Sequence, residues 1–154
     1  MTLHLSSPSF AEGDTIPIKQ TADGDDRSPE LRWSGAPANT KSFALVCEDP
    51  DAPRGTWTHW VLFNVPATGT SLAEGVPTEK ELPDGARQGK NDFGKIGYGG
   101  PSPPKGKPHR YFFKLYALDT KLDLPAGANR QQMLDAIKGH VLAEAQLMGK
   151  YGRS

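Results

Sequence analysis

The chain has 154 residues, with 18 Lys and Arg against 18 Asp and Glu. It therefore has neither the broad positive field of a nucleic-acid binder nor an electrostatic anchor for an acidic membrane. Its single cysteine, Cys47, excludes an internal disulfide, and its length fits one domain, residues 1–154, with a core of its own. No stretch approaches the roughly 18 apolar residues of a membrane helix, and Met1–Leu5 shows no charged start to a secretory signal. A soluble cytoplasmic protein is the expectation.

Glycine (17) and proline (14) are scattered along the chain, which implies many short strands joined by ordered loops. Ile16-Pro17-Ile18 reads as a short edge strand, where proline is tolerated. Residues 21–28, with Asp23, Gly24, Asp25 and Asp26, read as a solvent loop. Leu31-Arg32-Trp33-Ser34 reads as a strand stopped by Gly35-Ala36-Pro37. Ser42 to Cys47 is apolar and strand-like, and Cys47 within it reads as a small buried hydrophobe. From His59 to Val65, alternation places His59, Val61, Phe63 and Val65 on one face. Trp60, Leu62 and Asn64 fall on the other. Both faces are largely apolar, so this strand is expected to be covered on both sides.

Residues 84–107 carry no apolar periodicity. Loops of that length inside a domain are usually functional or disordered; Phe93, Ile96 and Tyr98 favour an ordered one. His109 to Leu118 alternates cleanly, with His109, Tyr111, Phe113, Leu115 and Ala117 sharing a face. Helical spacing appears only afterwards. Asn129 is the expected N-cap, and Leu134, Ile137, Val141 and Met148 lie near one face, with Gly139 splitting the segment into two short helices.

The chemistry gathers in Asp49, Asp51, His59, His109 and Tyr111, at the ends of different strands. Prolines at 50 and 53 fix φ and restrict their neighbours, so both carboxylates have a set direction. The Gly99–Pro104 segment precedes His109, and glycines allow close backbone approach to a ligand. Two imidazoles and a phenol supply donors, and the aspartates would orient the imidazoles. A phosphate-like oxyanion suits such a set. Carboxylate repulsion opposes it unless the imidazoles are protonated, a proton is shared, or the ligand carries a cation, as a zwitterionic head group does. The pattern has neither the tight His/Cys spacing of a zinc site nor a Gly-x-Ser-x-Gly nucleophile elbow. A metal and a cofactor are thus not expected. A hydrolase using the Asp/His cluster stays open as an alternative. His4 and His140 read as ordinary packed or solvated residues.

The motifs are similar to those of the phosphatidylethanolamine-binding protein family, in its bacterial Raf-kinase-inhibitor-like branch. They run in order through Ser28-Pro29, Trp33-Ser34-Gly35-Ala36-Pro37, Asp49-Pro50-Asp51-Ala52-Pro53 and Thr56-Trp57-Thr58-His59-Trp60. They continue through Tyr98-Gly99-Gly100-Pro101-Ser102-Pro103-Pro104, His109-Arg110-Tyr111 and Gly139-His140-Val141. The resemblance implies a mostly β fold of two packed antiparallel sheets with short C-terminal helices. It implies a small pocket for phosphate or phospholipid head groups lined by Asp49, Asp51, His59, Pro104, His109 and Tyr111, with Trp57 and Gly100 at its edge. It also implies a cis Ala52–Pro53 bond, a non-enzymatic role and homodimers in bacterial members. Eukaryotic relatives regulate signalling proteins, so a kinase or protease partner, met through the surface, is the alternative function.

Overall fold

A computed structural model describes residues 2–153. The strands, in chain order, are β1 (His4–Ser6), β2 (Leu31–Ser34), β3 (Ser42–Asp49), β4 (Trp57–Pro66), β5 (Ser71–Leu72), β6 (Arg87–Gln88), β7 (His109–Leu118) and β8 (Val141–Tyr151). A helix, α1 (Arg130–Ile137), precedes β8. The strands form two antiparallel sheets, a small one ordered β1-β2-β5 and a large one ordered β6-β4-β3-β7-β8. The main core lies between the sheets. Leu5, Leu31 and Trp33 of the small sheet meet Phe43, Leu45, Trp60, Phe113 and Leu115 of the large one. Trp33 and Phe43 are tilted against each other at 5.4 Å. Full burial of side chains this large stabilises by roughly 1.5–3 kcal/mol each.

The other face of β3 and β4 is covered by α1. Met133 and Ile137, one helical turn apart, pack on Ala44, Val46, Val61 and Phe63. Asn129 caps this helix as its sequence predicts. Its side chain accepts from Gln132 N, and Gln132 Oε1 accepts from Asn129 N at 2.9 Å, a reciprocal capping box. Two-sided cover explains why β3 is buried along its entire length.

Four expectations about the fold fail. Helical spacing does not continue past Gly139, whose φ of 80° ends the helix; residues 141–151 instead form β8, so there is one C-terminal helix rather than two. Ala143, Ala145, Leu147, Gly149 and Tyr151 alternate against β7, but small residues there leave little period-two signal in the sequence. Ile16-Pro17-Ile18 is not a strand: Ile16 is buried beneath β8, and Ile18 opens a single 3-10 turn. Among the described residues the peptide bonds are all trans, Ala52–Pro53 included. Finally, the face assignment of β4 is interrupted by two register shifts. Asn64 takes φ 58°, a left-handed conformation that Asn tolerates. This turns Val65 to the inter-sheet face alongside Trp60 and Leu62.

Candidate functional site

The topology brings the site together. β3 lies between β4 and β7 and is antiparallel to both. The end of β3 therefore meets the beginnings of its two neighbours. Asp49 closes β3, Trp57 and His59 open β4, and His109 and Tyr111 open β7. Parity along β3 and β7 points Asp49, His109 and Tyr111 to the inter-sheet side. His59 reaches that side because of the other register shift in β4. Cys47 pairs with Trp60 and Glu48 with Thr58, which leaves His59 as the extra residue of a bulge. Bulges re-aim side chains in this way. His59 thus packs edge-on to Tyr111 at 5.1 Å instead of joining Val61 and Phe63 under the helix.

Each imidazole is fixed through Nδ1. His109 Nδ1 donates to Asp49 Oδ2 at 2.7 Å, with both residues buried. The other oxygen of Asp49 accepts from Asp51 N at 2.8 Å, so the carboxylate is anchored by the turn its prolines shape. His59 Nδ1 lies 2.6 Å from the Gly99 carbonyl. A carbonyl only accepts, so the proton sits on Nδ1, and Nε2 of neutral His59 is an acceptor. Burial, the largest influence, pushes the His59 pKa below the usual imidazole value, against the opposing pull of the Gly99 carbonyl. Burial and the Asp49 carboxylate push the Tyr111 phenol well up, so it stays a hydroxyl. Phe93 lies edge-on to both Trp57 and His59, at 5.5 and 5.4 Å.

These side chains, with Ala52, Pro53, Ser102, Pro103 and Pro104, line a cavity of about 160 Å³. That is smaller than the 300–1,000 Å³ typical of pockets for larger organic ligands, so it suits a small ion or a head group. Among the described residues, no three His, Cys, Asp or Glu side chains converge as metal ligands would.

Residues 6–152 match the family model for phosphatidylethanolamine-binding proteins. A UPF0098 protein of Methanothermobacter thermautotrophicus is 53% identical over 151 residues, covering 98% of this chain and 99% of that one. YbhB of Escherichia coli is 40% identical, covering 97% and 99%. The chain belongs to the phosphatidylethanolamine-binding protein family. Solved structures agree with this. The crystal structure of Escherichia coli YbcL, described as a member of the mammalian PEBP family, superposes with a TM-score of 0.92 at 36% identity, covering all of both chains. That of the PEBP homolog CT736 from Chlamydia trachomatis gives 0.91 at 39% identity, covering 99% of each.

Within this family member, six of the eight residues singled out from sequence share the cavity: Asp49, Trp57, His59, Pro104, His109 and Tyr111. Asp51 and Gly100 stand outside its wall. The Asp51 carboxylate accepts from Arg110 N, Nε and Nη2 at 2.8–2.9 Å, and the Arg110 guanidinium holds its pKa down at about 2. Asp51 therefore orients no imidazole. Gly100 donates its N–H to Asp26 Oδ1 at 2.7 Å and faces a neighbouring cleft of about 630 Å³. Sequence reasoning missed Asp26, which belongs to the segment read as a solvent loop; in the structure that segment supports the cavity wall. Residues 22–27 are exposed as expected, and the run of aspartates carried no signal that one of them also holds Gly100.

Proposed function

We propose that this PEBP-family chain is a non-enzymatic cytoplasmic binding protein whose cavity takes a phosphate-like oxyanion, free or as the head of a phosphorylated molecule. The observation that carries this reading is the convergence of His109, braced by Asp49, and His59, braced by the Gly99 carbonyl, on one small cavity. With both Nδ1 atoms committed, each ring has Nε2 left for a ligand. His109 Nε2 faces a ligand beside the Asp49 carboxylate that braces the same ring, so a hydrogen bond it donates to an anion is balanced locally. Neutral His59 accepts instead, so it matches the P–OH of a monobasic phosphate or phosphomonoester. The Tyr111 hydroxyl adds a donor. This division of roles offsets the repulsion that Asp49 exerts on an anion.

Calorimetric titration with inorganic phosphate and with O-phosphoethanolamine tests it. Saturable binding is expected, weakened about tenfold or more in His109→Ala, since a hydrogen bond to a charged group contributes about 1.5–3 kcal/mol. No binding to the wild type, or equal binding by the variant, would contradict the reading.

The Asp49–His109 pair favours one second reading, because a carboxylate bracing the Nδ1 of an imidazole is also how a general base is oriented. Under that reading the chain hydrolyses phosphate or carboxyl esters and Asp49→Asn abolishes turnover. Regulation of a kinase or protease through the surface is the family-based alternative, and a pull-down that survives His109→Ala would support it; a homodimer is part of the same expectation.

A further inference from the structure

Arg153 lies just beyond the end of β8, outside every motif above, yet its guanidinium bridges two loops. Nε and Nη2 donate to the two oxygens of Asp23 at 3.0 and 2.7 Å. Nη1 donates to the Pro103 carbonyl at 3.0 Å, and Nη2 also reaches Ser102 Oγ at 3.3 Å. The same aspartate accepts from the Tyr151 hydroxyl at 2.6 Å, and the Arg153 carbonyl accepts from Gly106 N at 3.0 Å. Ser102 and Pro103 are cavity wall. The near end of that wall is already pinned to the Asp23 loop, through Gly100 N to Asp26 and Ala22 N to the Pro101 carbonyl. Its far end, which carries Pro103 and Pro104, has proline in place of backbone donors. It depends on what others donate to it.

We propose that the Asp23–Arg153 pair is a latch that holds the far wall of the cavity in place, making Arg153 a positioning residue for the anion. The inference rests on the function proposed above. A planar fork with several donors in fixed directions suits this task, and a lysine ammonium does not replace it. The pair is only partly covered, with side-chain exposures of 31% for Arg153 and 36% for Asp23. Ion pairs this exposed add little to folding stability, so binding and folding are separable here.

The test compares wild type with Arg153→Lys and Asp23→Asn. It measures inorganic phosphate affinity, melting temperature and hydrogen exchange at the Gly106 amide. A latch predicts that both variants lose phosphate affinity about tenfold, the low end of what supporting partners contribute at other sites. Melting should change little, and Gly106 should exchange faster in both. If Arg153 acts only through its charge, Arg153→Lys binds like wild type, and Asp23→Asn, which frees that charge, binds phosphate more tightly. Either result overturns the latch, as does unchanged Gly106 exchange in both variants. Wild type that takes no phosphate would overturn the proposed function alone, and the latch would then be decided by Gly106.

Discussion

His59 and His109 share one device with different partners. Each is anchored through Nδ1, one by a carbonyl and one by a carboxylate. Burial of His59 opposes its charged form more than the Gly99 carbonyl supports it. His59 is therefore neutral at neutral pH and takes a proton only below the ordinary imidazole range, near pH 6.5. Phosphate affinity should strengthen as pH falls below that range, because a protonated His59 gives up its acceptor contact with the P–OH and offers a charged donor to a phosphate oxygen, the stronger of the two contacts. Gly100, just outside the cavity wall, matters through space, not flexibility. A Cβ on Gly100 would come within 2.5 Å of Asp26 Oδ1 and 2.6 Å of the Gln20 carbonyl. Gly100→Ala should thus destabilise by about 1–3 kcal/mol in chemical denaturation; a neutral result would mean the Asp26 buttress yields freely. At this scale the sequence was informative about Asp49, His59, His109 and Tyr111, whose types and strand-end positions suggest their chemistry. It was silent about Asp26 and Arg153, because long-range buttressing has no local pattern.

At the scale of elements, the site depends on irregularities in β4. Strict alternation puts His59 with Val61 and Phe63; the bulge takes it to the cavity. A second irregularity at Asn64 restores the remaining strand to the core. The Asn64 side chain holds it by donating to the Leu122 carbonyl at 2.9 Å and accepting from Leu122 N at 2.7 Å. Asn64→Ala removes both bonds and puts a Cβ-bearing residue with no local hydrogen bond at positive φ. A loss of about 1–3 kcal/mol is expected, with Asn64→Gly less damaging than Ala if the backbone conformation is the larger part. Strand β3 was legible as a continuous apolar run, β4 and β7 from alternation, and α1 from its cap. β8 was not, because its inward residues are small and its apolar spacing also fits a helix. Bulges escaped because one inserted residue alters direction without altering composition.

For the whole molecule, acid should weaken folding in two windows. The unfolded chain protonates His59 near its ordinary value, whereas the folded chain resists, so the unfolded state binds more protons below about pH 6.5. Asp51 behaves likewise lower down. Its folded pKa of about 2 lies below its ordinary 3.8, so the stability given by Arg110 is present above 3.8 and lost as pH falls toward 2. Denaturation midpoints should therefore drop between about pH 7.5 and about pH 5.5, with a smaller drop in His59→Asn. A flat profile in the wild type would show that His59 is not held neutral. The mostly β class was legible from dispersed glycine and proline, which suit a sandwich or a barrel alike; the two packed sheets were implied only by the family resemblance. The convergence of strand ends on a cavity follows from β3 lying between two antiparallel neighbours, an order that local patterning does not encode.

The most direct test follows all four imidazoles by NMR during addition of inorganic phosphate. His59 and His109 line the cavity, while His4 and His140 are exposed elsewhere. The account predicts saturable shifts of the His59 and His109 signals with one shared dissociation constant, and no saturable change at His4 or His140. Unmoved His59 and His109 signals, or shifts confined to the two exposed rings, would contradict it.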